Sequence, residues 1–142
     1  MAVASPLTIS LSPREAGLSC LYIAARVDGT MSDTDHQLIK AVIASTPALS
    51  SGDSAGDQSL FQRLQDFLDA DEGLETVLEL IEEAPANGEV LYALTVEFIV
   101  RRGRVSTAEM RLLDILVDRF KLAPLTRAAI DTATRIRMKA LD

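Results

Sequence analysis

Leu38, Ile39, Val42 and Ile43 share one face of a predicted helix that follows a polar turn. The same arrangement returns 74 residues later as Leu112, Leu113, Leu116 and Val117. Between these copies, Leu60, Phe61, Leu64, Phe67 and Leu68 form one helical stripe, and Leu74, Val77, Leu78 and Ile81 form another. The stretch "VLYALTVEFIV", residues 90–100, is apolar nearly all round and predicts a helix at the centre of a bundle, with Glu97 as its exception.

Punctuation along the chain bounds these helices. Ser12, Pro13 and Glu15 in "SPRE" predict a capped start to a first helix that runs to about Val27. Pro47 ends the second helix, and "SSGDSAGDQ", residues 50–58, reads as the core of a linker over about 47–58 because it offers little apolar surface to bury. Asn87 predicts the cap of the central helix. Pro124 opens a final helix to about Leu141, with Ala129, Ala133, Ile136 and Ala140 expected to face inward. The expectation is an all-α fold: a single compact bundle of about seven helices over residues 12–142, preceded by a flexible arm at 1–11. Two related hairpins, about 14–46 and 88–121, flank a short middle hairpin.

Composition agrees with this pattern. The chain has 142 residues, is 48% hydrophobic and holds seven Gly, which suits one domain of packed helices. Cys20 is the only cysteine, so an intramolecular disulfide is excluded and a reducing cytoplasm is expected. No apolar run reaches the roughly 18–20 residues of a membrane span, and "MAVASPLTIS" has no signal-peptide pattern.

Charge divides the chain. Residues 1–87 hold 4 Lys and Arg against 14 Asp and Glu, whereas residues 88–142 hold 10 against 7, within a net charge of −7. Specific nucleic-acid binding is therefore not expected, while each half offers a face to a partner of opposite charge.

The repeat centres on "VDGTMSDTD", residues 27–35, and "RRGRVSTAE", residues 101–109. Gly29 and Gly103 suit a positive φ at a helix end, and Ser32 and Ser106 can cap the following helices. Asp35 and Glu109 complete capping boxes, each cap being worth roughly 1 kcal/mol. Capping does not explain Asp28, a carboxylate at the negative end of a helix dipole, where a positive charge should be near. A bound cation would meet that need, with Asp28, Asp35 and turn carbonyls as oxygen ligands. In the second copy Arg102 stands in place of Asp28 and is itself a favourable charge for a helix C-terminus. The first turn also matches the latter half of an EF-hand loop, but the first and third ligand positions would be Ala24 and Arg26.

The twin phrases "ARVDGTMSDTD" and "VRRGRVSTAEMRLLDIL" in an all-helical domain of this size resemble the TerB-like family of tellurite-resistance-associated proteins. The resemblance covers most of residues 14–46 and 88–121. It implies a noncatalytic cytoplasmic protein with acidic surface sites proposed to bind a divalent metal. It also implies protein partners in stress-related assemblies, sometimes beside membrane partners. By motif, the acidic positions carry over to Asp28 and Asp35 in the first repeat and only to Glu109 in the second. The expected metal residues are thus Asp28 and Asp35. The alternative is a metal-free interaction module that uses the acidic and basic faces.

Other residues have simpler readings. His36 is expected to be exposed beside the cap, and Cys20 to lie in the core. Glu97 lies four residues before Arg101, the spacing of a helical ion pair, with a carboxylate facing a cavity as the rival reading. The acidic residues from Asp66 to Glu83 read as a solvated face or a docking face for a basic protein. Arg127, Arg135, Arg137 and Lys139 read as an exposed basic helix able to meet acidic groups.

Overall fold

The computed structural model describes residues 10–29, 31–50, 54–103 and 105–139. It contains seven helices: α1 (Pro13–Arg26), α2 (Asp33–Ser45), α3 (Ser54–Asp69), α4 (Gly73–Glu83), α5 (Gly88–Arg101), α6 (Thr107–Phe120) and α7 (Pro124–Met138). Among the described residues there is no strand, and no helix is long and apolar enough to cross a membrane. The all-α bundle with related outer hairpins and a middle hairpin, α3–α4, is therefore the architecture adopted.

The capping residues act as their types require. The Ser12 hydroxyl accepts from the Glu15 amide at 3.1 Å while the Glu15 carboxylate accepts from the Ser12 amide at 2.9 Å. Asn87 accepts from the amides of Glu89 and Val90 at the start of α5.

Two helices make the centre. On α5, Leu91, Tyr92, Leu94, Thr95, Val96, Phe98 and Ile99 are buried. On α1 every residue from Ala16 to Ala25 is buried, so this helix is enclosed as fully as α5. The two lie side by side, with Gly17 against Leu91 and Leu94 near their starts and Arg102 against the Ala24 carbonyl near their ends. They therefore run in the same direction, and the glycine turns that follow them meet at one end of the bundle.

Three expectations require correction. The linker is shorter than residues 47–58, because α3 begins at Ser54; residues 51–53 lie outside the described residues. Asp57 in the first turn of α3 suits the positive end of the helix dipole, and Arg14 binds it through two bonds of 2.7 and 2.9 Å. Leu49, also within the expected linker, is core, and the Arg14 Nε donates to its carbonyl. The arm at 1–11 lies mostly outside the described residues, but Leu11 is buried in the core.

The third correction concerns α7. Ala129, Ala133 and Ile136 face solvent rather than the core, and Ala140 lies outside the described residues. The inward side carries buried Thr134, with Arg127 and Asp131 around the Tyr92 hydroxyl. Tyr92 explains the rotation: its buried hydroxyl needs polar partners, which Asp131 at 2.9 Å and Arg127 at 3.1 Å supply.

Burial also sets an alkaline limit. It pushes the Cys20 thiol from the ordinary 9.0 up to about 12. Burial, followed by the bond to Asp131, pushes the Tyr92 hydroxyl from 10.0 up to about 12. Between those values the unfolded chain loses protons that the folded chain keeps, so stability is full below about pH 9 and falls as pH rises towards 12. The expected loss approaches about 1.4 kcal/mol per pH unit for each group. Denaturant unfolding of Tyr92→Phe should show a shallower fall above pH 10 than the parent chain; equal slopes would contradict this assignment.

Candidate functional site: two glycine turns closed by one arginine

After α1 and α5 the chain turns in the same way. The Gly29 amide donates to the Arg26 carbonyl and the Gly103 amide to the Val100 carbonyl, both at 3.1 Å. Their φ angles are +141° and +95°, a region that favours glycine over residues with a Cβ. Each turn then delivers a serine to the start of the next helix. Ser32 accepts from the Asp35 amide and Ser106 from the Glu109 amide, each at 3.1 Å. In return the Asp35 carboxylate accepts from the Ser32 amide at 3.1 Å, and that of Glu109 from the Ser106 amide at 2.8 Å. Both capping boxes predicted from the sequence are therefore formed.

Each of these acids is buried, and each uses one oxygen for its cap. Glu109 is 1% exposed and Asp35 is 7% exposed. The other oxygen of each faces Arg102. Arg102 Nη1 lies 2.6 Å from Glu109 Oε2, Arg102 Nε lies 3.2 Å from Asp35 Oδ1, and Arg102 Nη2 lies 3.8 Å from Asp28 Oδ1. The guanidinium thus meets both repeats through its separate nitrogens, which its planar five-donor geometry allows and a lysine ammonium would not reproduce. Its carbon is 5.8 Å from the centroid of the Phe98 ring, one turn earlier on α5. Nη1 also lies 3.5 Å from the Ala24 carbonyl at the end of α1.

This arrangement answers the charge problem at Asp28. The positive group required near that helix end comes from the second repeat, through Arg102. From the sequence, Arg102 serves its own turn, as a favourable charge at the end of its helix and an electrostatic replacement for the missing cation there; in the structure it also reaches Asp28 and Asp35 and is the shared counterion of both turns. The repeat itself carried the missing signal, since an excess acid at one turn and an excess base at the equivalent turn are complementary once the two turns adjoin.

The first-turn residues Asp28 and Asp35 also line a cleft of about 630 Å³ with Gly29, Thr34 and Arg101. As placed, they do not fit a divalent ion well. An ion bridging Asp28 and Asp35 would compete with the guanidinium for the same carboxylates and lie close to its positive charge.

The remaining candidates fall elsewhere. His36 is exposed and opens onto a different hollow, with Tyr22, Arg26, Met31 and Asp69, rather than joining Asp28 and Asp35. Cys20 is fully buried. Glu97 pairs with Arg101 at 3.3 Å, as its spacing suggested, and Arg137 approaches it at 3.5 Å. The acidic side chains from Asp66 to Glu83 are exposed on α3, α4 and their turn; Glu75 and Glu82 hold Arg119. Comparison of the chain with protein-family models, curated proteins and solved structures yields no match.

Proposed function

We propose that this chain is a noncatalytic TerB-like binding protein in which Arg102 is a built-in cation, and that its ligands are protein partners met by its charged faces. The carrying observation is the simultaneous approach of Arg102 to Asp28, Asp35 and Glu109. One side chain thereby satisfies electrostatically what a bound cation would satisfy in a turn of this kind. The exposed acids of α3 and α4 suit a basic protein surface, bound in a salt-sensitive manner. The TerB-like resemblance supplies the setting, a stress-related cytoplasmic assembly.

A second reading, cation binding at the first turn, is favoured by the looser 3.8 Å contact of Asp28 and by the cleft beside it. Thermal unfolding separates the two, because a ligand bound only by the native state raises apparent stability by mass action. After chelation, calcium, magnesium, manganese and zinc are added separately to the parent chain, Asp28→Ala and Arg102→Asp. The proposal expects no saturable shift in the parent and a saturable stabilisation in Arg102→Asp, where an added carboxylate replaces the guanidinium. A shift in the parent that Asp28→Ala abolishes would favour the cation reading. An unresponsive Arg102→Asp would contradict the role of Arg102 as a cation substitute.

A further inference from the structure

The outward face of α7 carries large apolar residues, although its inward face, apart from Ile130, is mostly polar. Leu125 is 84% exposed and Ile136 is 62% exposed. Ala129 and Thr132 lie between them at helical spacing, and both are exposed. On α5, Val90, itself 49% exposed, and Ala93 extend this surface into a shallow groove that Leu125, Ala129 and Ile130 also line. A helix that directs Thr134 and Asp131 inward and leaves Leu125 and Ile136 in water has an apolar face without a partner among the described residues.

We infer that this face pairs with the same face of a second copy, with the two α7 helices antiparallel. Two features favour a second copy. The first is shape. Large residues stand at the two ends, Leu125 and Ile136, and small ones, Ala129 and Thr132, stand between them. An antiparallel pairing therefore sets Leu125 of each copy beside Ile136 of the other while the middles approach closely, which is the self-complementary contact that a twofold dimer requires. The second is charge. Exposed Glu89 borders the groove at the end of Leu125, and Arg137 and Lys139 stand at the opposite end of α7. Reversal of one copy brings the acid of each towards the bases of the other, twice over. Arg137 is held only by long contacts, 3.5 Å to Glu97 and 3.4 Å to the Thr134 hydroxyl, and its side chain is more than half exposed, so it can turn to this second acid.

Sedimentation velocity of the full chain across micromolar concentrations tests the inference. The expected result is a concentration-dependent rise from 15.3 kDa towards twice that mass. Leu125→Glu changes an exposed residue, so it should keep the helical circular dichroism and the melting temperature of the dilute monomer while weakening association by about tenfold or more. Glu89→Lys should weaken association and lessen its dependence on salt. A chain that stays monomeric throughout would overturn the inference, as would a dimer that Leu125→Glu leaves unchanged. Vesicles containing anionic lipid provide the remaining arm: a monomer that sediments with them through Leu125 would assign the face to a membrane surface and overturn the dimer.

Discussion

Arg102→Ala should destabilise the chain by about 3–5 kcal/mol, because it leaves Glu109 and Asp35 as buried carboxylates without their counterion. For 142 residues this is a fall in melting temperature on the order of 10 °C. The size of the effect comes from burial rather than from the number of contacts, since the same ion pairs on the surface would contribute about 1 kcal/mol or less. Arg102→Lys should recover only part of the loss: an ammonium keeps the charge but cannot direct separate nitrogens to two capping acids. Asp28→Ala should have the smallest effect of the cluster, because its contact is the longest and its side chain is the most open to water. Chemical denaturation measures all three; an Arg102→Ala chain as stable as the parent would remove the premise that the turns depend on this residue.

The second large effect is expected at Phe98. Its ring is fully buried at the centre of the bundle and lies beneath the Arg102 guanidinium. Phe98→Ala removes core volume and the support of the arginine together, with an expected cost of about 3–5 kcal/mol. Phe98→Leu retains most of the apolar packing and should cost about 1–2 kcal/mol, part of it from the lost cation–ring contact. Both values come from denaturant midpoints at an unchanged slope. A Phe98→Leu cost as large as that of Phe98→Ala would mean that ring shape, rather than core volume, dominates at this position. Because Phe98 and Arg102 touch, the combined variant should lose less than the two single losses added.

Local chemistry made most of the fold legible. Ser12, Asn87, Ser32 and Ser106 cap helices because a short side-chain oxygen can satisfy an amide that the helix leaves unpaired, and this needs no distant contact. The apolar character of α5 likewise placed it at the centre. The errors arise where a distant partner overrides the local signal. Residues 54–58 look like linker because their few apolar groups offer nothing to bury, yet Asp57 is recruited by Arg14. Helix α7 presents alanines on one side, yet the Tyr92 hydroxyl on α5 draws the polar side inward. At the site, sequence identified every residue of the cluster, Asp28, Asp35, Arg102 and Glu109, as well as the electrostatic deficit at Asp28. It did not reveal that α1 and α5 run in parallel, and that packing is what lets one arginine serve two turns.

A double-mutant cycle between Arg102 and Asp35 tests the central claim most directly, since these residues belong to different repeats and are 67 positions apart in sequence. Arg102→Ala, Asp35→Asn and the combined variant are compared with the parent chain by denaturant unfolding. Asparagine keeps an oxygen for the Ser32 amide, so the cycle isolates the charge from the cap. A shared counterion predicts that the combined variant is less destabilised than the sum of the single variants by about 1 kcal/mol or more. Losses that add to within about 0.3 kcal/mol would contradict the account and return each glycine turn to an independent, capped helix junction.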